Sequence, residues 1–242
     1  MEQLAVAISG WIREQVTAAG VRGTVLGLSG GVDSAVAAAL CRRAVGDGAL
    51  GLILPCHSED VDVADALDVA AAFGLATETV DLGPAYDIVV TSLESALNLS
   101  SVPAPAACLA SANLKPRLRM MALYYYANCH QLLVVGTSNR SELHVGYATK
   151  YGDSGVDVMP LANLLKQDVW ALARHLGVPE RVIERPPSAG LWPGQTDEGE
   201  MGLTYAELDG FLATGQASEA AQARIERLHR ASDHKRRMPP KP

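Results

Sequence analysis

Several common signals are missing from this sequence. Its 242 residues contain no Gly-x-x-x-x-Gly-Lys-[Ser/Thr] motif, which excludes a Walker-type nucleotide site. No segment approaches about 18 uninterrupted apolar residues, and the first residues lack the basic and apolar regions of a signal peptide. We therefore expect a soluble, cytoplasmic protein with no membrane partner.

Cysteine and basic charge are both scarce. The four cysteines (Cys41, Cys56, Cys108 and Cys129) include no Cys-x-x-Cys pair, which excludes the common zinc and redox motifs and predicts free thiols in a reducing compartment. The formal net charge is −7, so we expect no nucleic-acid partner. The main basic cluster, at 234–237, is typical in its composition of a solvated tail.

Strand-like and helix-like segments alternate along the chain. Apolar patterns predict strands at 24–28, 50–54, 77–80 and 132–136, and helices between them and at 2–19, 113–129, 166–176, 204–213 and 217–231. This alternation predicts an α/β fold with a doubly wound parallel sheet flanked by helices, and the length suits one domain over 1–242. Segments 98–112 and 186–203 are predicted loops, and the second is long enough to be a lid.

The segment 27–34 is the most informative one. It joins the first predicted strand to the next helix and reads Gly27-Leu28-Ser29-Gly30-Gly31-Val32-Asp33-Ser34. Adjacent glycines allow a ligand to approach the backbone closely, and a helix N-terminus offers unpaired N–H donors to a phosphate. A tight turn capped by Asp and Ser is the alternative interpretation of the same residues.

A second acidic residue follows the last predicted strand. Thr137 and Ser138 stand at the end of that strand, and Glu142 falls in the first turn of the next helix. Because ligands gather at the carboxyl ends of parallel strands, we expect Asp33 and Glu142 to face one cleft. Two carboxylates together with phosphate oxygens suit Mg²⁺. Taken alone, Glu142 would be interpreted as a solvated helix charge.

These motifs resemble those of known enzymes. Ser-Gly-Gly-Val-Asp-Ser (29–34) resembles the pyrophosphate-binding loop of the ATP pyrophosphatases, which have a Rossmann-like fold of the adenine nucleotide alpha hydrolase type. From about residue 2 to 237 the chain resembles the ammonia-dependent NAD⁺ synthetases of that superfamily. The matching segments are Asn-x-x-x-Arg-x-Arg-Met (113–120), Gly-Thr-x-x-x-x-Glu (136–142), Thr-Lys-Tyr-Gly-Asp (149–153), Pro-Ser-Ala-Gly-Leu-Trp (187–192) and His-Lys-Arg-Arg (234–237).

The resemblance implies a role for each matching position. Asp33 and Glu142 would hold Mg²⁺, and ATP would be contacted by residues 27–34, Thr137, Lys166 and Ser188. The residues implied for deamido-NAD⁺ are Arg117, Lys150, Asp157, His234 and Lys235. Two positions depart from the family pattern, because Pro116 stands where a small residue is expected and Ala148 where an aromatic is expected.

The implied reaction converts deamido-NAD⁺ to NAD⁺. The substrate carboxylate would attack the α-phosphorus of ATP and release pyrophosphate, and ammonia would then displace AMP. Asp153, an acid near Lys150 in a glycine-bounded loop, is a candidate for deprotonating ammonium. Glutamine-using relatives carry an added amidase domain for which this chain has no room, so ammonia is the expected donor, whether or not a separate glutaminase supplies it.

Two alternatives stay open at the level of sequence. Another adenylating member of the superfamily, such as a tRNA-thiolating or GMP-forming enzyme, would share the first loop, although a thiolating enzyme would favour paired cysteines. A nucleotide-sensing scaffold would keep the fold without turnover, although it would predict damage at Asp33 or Glu142. The resemblance also implies a homodimer, for which the apolar helix around 118–126 is a candidate interface or, equally, an ordinary core helix.

Overall fold

The computed structural model describes residues 1–97, 102–192 and 194–241. A parallel sheet in the strand order β3-β2-β1-β4 forms its centre. The strands are β1 (Gly23–Gly27), β2 (Ala49–Ile53), β3 (Ala76–Thr79) and β4 (Leu132–Val135). Each of the three pairings between neighbours is parallel, so the predicted sheet is confirmed.

Helices precede, connect and follow the strands. In chain order they are α1 (Glu2–Ala19), α2 (Val32–Val45), α3 (Asp60–Phe73), α4 (Gly83–Ala96), α5 (Ala104–Ala112), α6 (Leu114–His130), α7 (Arg140–Val145), α8 (Lys166–Leu176), α9 (Glu180–Glu184), α10 (Asp197–Met201), α11 (Tyr205–Thr214), α12 (Glu219–Ala231) and α13 (Asp233–Arg236). The predicted helices at 2–19, 113–129, 166–176, 204–213 and 217–231 are confirmed within one or two residues at each end.

Both faces of the sheet are covered by helices. Side chains alternate along a strand, so Val25 and Leu26 of β1 face opposite sides. Leu26 belongs to a buried cluster with α1, α2 and α8, whereas Val25 packs with Leu123 and Ala127 of α6. A parallel strand buried on both faces needs an apolar sequence throughout, which explains why short continuous apolar runs identify β1, β2 and β4. Strand β3, at the edge of the sheet, is mostly exposed and polar.

The small side chains of α2 let this helix lie deep in the protein. Ala35, Ala37 and Ala38 are fully buried, and the helix contacts α1, α3 and α8 as well as β1. An alanine-rich surface permits neighbouring helices to approach closely on several sides. The N-terminus of α2 is therefore held firmly against the carboxyl edge of the sheet.

The prediction of a loop at 98–112 was wrong for its second part, because Ala104–Ala112 form α5. Pro103 is the N-cap and Pro105 lies in the first turn, where the missing proline N–H has no intrahelical partner to lose. The prolines therefore start a helix instead of breaking one. Residues 98–101 of the same predicted loop lie outside the described residues.

The segment 186–203 is less irregular than its sequence predicts, because it contains α10. The N-cap Thr196 accepts a hydrogen bond from the Gly199 N–H, which stabilises a helix of five residues that is too short for a periodic pattern. Pro193 lies outside the described residues. The role of this segment as a lid stays a prediction.

Two features relate to the cellular compartment expected from the sequence. In the ranges that the structure describes, no helix combines the length and the apolar character needed to cross a bilayer. All four cysteines are free thiols, and Cys41 and Cys56 are buried. The cytoplasmic location itself stays a prediction.

Candidate active site

One cavity of about 490 Å³ opens at the carboxyl edge of the sheet. Segments that follow β1, β2 and β4 line it, so the motifs at 29–34, 55–60 and 136–142 do share one cleft. The wall includes most of the residues that the sequence singled out, namely Gly27, Leu28, Ser29, Gly31, Val32, Asp33, Ser34, Thr137, Glu142, Asp153, Lys166, Ser188 and Lys235.

The loop before α2 is closed by its own hydroxyl groups. Ser34 Oγ donates to the Gly31 carbonyl at 2.9 Å and accepts from the Ser29 N–H at 3.2 Å. Gly31 is the N-cap of α2 and has no side chain, so it leaves the first N–H groups of the helix to a ligand. These donors and the positive end of the helix dipole suit a phosphate.

Replacing Gly30 with Ala is expected to disrupt this loop. Gly30 has φ +80°, and an added Cβ would lie 2.5 Å from the Asp62 carbonyl oxygen. We expect the free energy of unfolding to fall by at least about 1–3 kcal/mol and the KM for ATP to rise, as measured by urea unfolding and steady-state kinetics.

Gly74→Ala is the matched control for that substitution. Gly74 also has positive φ, +58°, but its Cβ would meet open space, and it lies at the end of α3 away from the cavity. The control should lose some stability and keep the wild-type KM for ATP. Equal effects of both substitutions on KM would contradict the prediction.

A lysine and two carboxylates form the centre of the cavity. The Lys166 side chain is 1% exposed, and its Nζ lies 2.5 Å from Asp33 Oδ2 and 3.3 Å from Glu142 Oε1. Asp33, Glu142 and Lys166 each stand in the first turn of a different helix, α2, α7 and α8. The expectation that Asp33 and Glu142 face one cleft is thus confirmed.

The charges of this cluster shift each other's pKa. Burial alone would lower the pKa of Lys166, but the carboxylates of Asp33 and Glu142 outweigh burial and raise it. Burial, followed by the Asp33 carboxylate, raises the pKa of Glu142. Lys166 is therefore charged at neutral pH, while burial and the Asp33 carboxylate favour the protonated form of Glu142.

These residues fit a magnesium ion that arrives with a nucleotide. Mg²⁺ usually takes one or two carboxylates and completes its shell with phosphate oxygens and water. Asp33 and Glu142 offer such oxygens beside the loop 27–34, and a bound cation would oppose the burial and the Asp33 charge that raise the pKa of Glu142. Within the described ranges, no group of three or more His, Cys, Asp or Glu could hold a metal by itself.

Three polar residues complete the cluster without having been assigned from the sequence. Asn139 Nδ2 donates to Asp33 Oδ1 at 2.9 Å, and Asn139 Oδ1 accepts from the Glu142 N–H at 3.0 Å. The Tyr205 hydroxyl donates to Asp197 Oδ2 at 2.8 Å and lies 3.4 Å from Glu142 Oε1. Asn139 and Glu142 have the spacing of a capping box, so the sequence could have identified Asn139. The contact between Tyr205 and Asp197 corresponds to no sequence motif.

Four residues implied for dinucleotide binding lie outside the wall of this cavity: Arg117, Lys150, Asp157 and His234. The Arg117 guanidinium donates to the Lys150 carbonyl at 3.4 Å. Asp157 accepts from the Val134 N–H at 2.8 Å, which ties it to β4. Gly30 also faces away from the cavity, toward α3.

The basic cluster at 234–237 is not the solvated tail that its composition predicts. It forms most of α13, and Lys235 Nζ donates to the Gly146 carbonyl at 2.8 Å. The Arg236 guanidinium donates to carbonyls near the end of α7. The last carbonyls of a helix need donors from outside it, so α7 fixes the cluster and brings Lys235 to the cavity wall.

Both departures from the family pattern face the cavity. Pro116 is buried in the first turn of α6, where proline is tolerated. Ala148 also lines the wall, and its small side chain leaves space that an aromatic ring would fill.

Comparison with known proteins identifies the family. Residues 4–239 match the family model described as NAD synthase. The NH(3)-dependent NAD(+) synthetase of Syntrophomonas wolfei is 50% identical over 230 residues, covering 95% of this chain and 91% of that protein.

Solved structures agree with this match. The NMN synthetase of Francisella tularensis superposes with a TM-score of 0.93 at 38% identity, covering 100% of this chain and 98% of the other. The NAD⁺ synthetase of Burkholderia pseudomallei gives a TM-score of 0.80 at 32% identity, covering 98% and 90%. The chain therefore belongs to the NAD synthase family, as its motifs predict.

Proposed function

We propose that this chain is an ATP-dependent ligase that amidates deamido-NAD⁺ to NAD⁺ with ammonia and releases AMP and pyrophosphate. The observation that carries the proposal is the Lys166 ammonium between Asp33 and Glu142, beside a loop whose N–H groups suit a phosphate. Family membership supports the choice of substrate. The proposal needs only the one domain, 1–242.

The first step activates an unreactive carboxylate. A carboxylate oxygen of the substrate attacks the α-phosphorus of ATP, and the bond to the bridging oxygen breaks to release pyrophosphate. Negative charge grows on the leaving group, and the N-terminus of α2 and the Lys166 ammonium would stabilise it. Mg²⁺ on Asp33 and Glu142 would, when bound, neutralise further charge on the phosphates.

The second step forms the amide. Ammonia adds to the acyl carbon of the adenylate, AMP leaves, and the nitrogen loses a proton. The segment that carries Ser188 covers one side of the cavity, and a covered site protects an adenylate from water. Holding the two reactants together in one cavity accounts for much of the rate enhancement that such a site can provide.

Incubating the purified protein with ATP, Mg²⁺, ammonium and deamido-NAD⁺ tests the proposal. We expect AMP, pyrophosphate and NAD⁺ in equal amounts by ion-exchange chromatography. Glutamine in place of ammonium should give no NAD⁺, since ammonia is the proposed direct donor. Formation of ADP, or no NAD⁺ under any of these conditions, would overturn the proposal.

A second candidate substrate is the mononucleotide. The TM-score of 0.93 with an NMN synthetase favours amidation of nicotinate mononucleotide by the same two steps. Moreover, four residues implied for the dinucleotide lie outside the cavity wall. Measuring kcat/KM for both substrates decides between them, since the preferred one should exceed the other by at least about tenfold, or about 1.4 kcal/mol.

Asp153 is proposed to take a proton from ammonium. It lines the cavity, accepts a hydrogen bond from the Thr149 N–H at 2.8 Å, and has its pKa raised by burial. For Asp153→Asn we expect kcat/KM for ammonium at neutral pH to fall about 100-fold and to recover partly in alkaline buffer, where free ammonia prevails. Unchanged turnover at saturating ammonium would remove this role.

A homodimer through α6 is also proposed. Met121 and Tyr125 of this helix are 61% and 70% exposed, and Ile88 of the adjacent α4 is 69% exposed. Leu123, by contrast, is buried, so only one face of the apolar helix is available to a partner. Sedimentation equilibrium should give twice the chain mass, and Tyr125→Asp should shift it to the monomer. A monomeric wild type would contradict the interface.

A further inference from the structure

Among the residues that the structure describes, four cationic side chains line the cavity: Arg119, Lys166, Arg185 and Lys235. Two of them are neutralised by carboxylates. Lys166 contacts Asp33 and Glu142, and Arg185 contacts Asp62 and Asp65. The other two, Arg119 and Lys235, donate to neutral oxygens instead. Resemblance to the family accounts for Lys235, and Arg119 has no assigned role.

Arg119 is held rigidly at the end of β2. Its Nε donates to the Leu54 carbonyl at 3.0 Å, and its Nη2 donates to Ser58 Oγ at 3.2 Å. Among the described residues, no carboxylate approaches it within the 4.0 Å of a salt bridge. Burial lowers the pKa of Arg119, and the nearby Cys56, Asp62 and Asp153 offset this only in part.

Lys115, one turn earlier on α6, is a cation that does not belong to the cavity wall. Its Nζ donates to the Leu191 carbonyl at 2.8 Å and lies over the Tyr86 ring, so it binds the segment 186–203 and does not line the cavity. The Arg119 guanidinium has five N–H donors. Its contacts with Leu54 and Ser58 use one donor at Nε and one at Nη2. Arg119 therefore presents both charge and donors to the cavity.

We propose that Arg119 is a substrate-binding residue that holds an oxyanion, either the α-phosphate of ATP or the carboxylate of the nicotinate substrate. Guanidinium groups pair with both through parallel N–H···O bonds. The two anions must meet for the adenylate to form, and a fixed guanidinium near their junction would orient one of them. This proposal rests on the proposed function for its substrates, but the binding site can be tested separately.

Arg119→Lys and Arg119→Gln test it, with Arg174→Gln on the far face of α8 as the matched control. Lys keeps the charge and loses the planar fork, whereas Gln loses both. We expect the KM of one substrate to rise about 10- to 100-fold in the Gln variant and less in the Lys variant, with the KM of the other nearly unchanged. A selective rise for ATP identifies the α-phosphate, and a selective rise for the pyridine nucleotide identifies the carboxylate.

Calorimetric titration separates this proposal from the proposed function. ATP and each pyridine nucleotide are titrated into wild type and variants, after circular dichroism has shown that the variants fold. One outcome is that wild type makes no NAD⁺ but the Arg119→Lys variant binds one ligand more weakly than wild type does. In that case the proposed function is wrong and the proposed role of Arg119 in binding is supported. If wild type is active and both variants keep wild-type KM and affinity for every ligand, the proposal for Arg119 is overturned.

Discussion

Lys166→Met is expected to destabilise the protein and to abolish NAD⁺ formation. Lys166 is 1% exposed, and its ammonium lies within 4 Å of both Asp33 and Glu142. Removing one partner of a buried ion pair typically lowers the free energy of unfolding by about 3–5 kcal/mol, and urea unfolding measures this. Loss of a charge beside the leaving group should lower kcat by at least about 100-fold.

The free energy of unfolding of Lys166→Met should fall as pH rises. The pKa of Glu142 already lies above its ordinary value of 4.5, and without Lys166 it rises further. Above pH 4.5 the unfolded chain then releases a proton that the folded variant retains, so the stability of the variant falls as pH rises through that window. Wild type shares this fall up to about pH 8, the pKa of Glu142 with Lys166 present, so the deficit relative to wild type grows only above that pH.

A double variant checks the cause of this deficit. Lys166→Met leaves the Asp33 carboxylate without its cation, and adding Asp33→Asn removes that carboxylate charge. The double variant should therefore regain part of the lost stability, because residues in direct contact have effects that do not add. A deficit that is constant with pH and equally large in the double variant would contradict the explanation by unpaired carboxylates.

The second large effect is expected from Asp33→Asn. Asn is nearly isosteric with Asp, and removing one of two adjacent carboxylates lessens repulsion, so we expect the fold to remain intact. The variant loses an anionic oxygen proposed to hold Mg²⁺ and the carboxylate that pairs with Lys166. We expect kcat/KM for ATP to fall about 10²- to 10³-fold, with a higher Mg²⁺ concentration needed for half-maximal rate.

Asp47→Asn is the control for this substitution. The Asp47 side chain is 98% exposed and pairs with Arg42 on the surface, where such pairs contribute little. The control should match wild type in kcat/KM and in Mg²⁺ dependence. Wild-type kcat/KM in Asp33→Asn would show that this carboxylate is not part of the ATP site.

Sequence patterns succeed here where the physical cause is local. Composition and periodicity predict strand β1 and the Ala-rich helix α2. The loop 27–34 is predicted from its adjacent glycines, which would allow a phosphate to approach the backbone at a helix N-terminus. The same local reasoning fails at 104–112, because proline in a first helical turn and proline in a loop look alike in sequence. It also fails at 234–237, where basic residues serve as donors to the end of α7.

The sequence by itself determined the parallel α/β fold, the glycine-rich loop 27–34, and the acids near it, because each depends on residue types at short spacing. Only the tertiary structure decided which of these groups meet. It placed Lys166 between Asp33 and Glu142, brought Tyr205 and Asp197 beside them, and left Arg119 without a carboxylate partner in the part of the chain that it describes. Such contacts join residues that are remote along the chain, and their charges are set by burial, which spacing in the sequence does not encode.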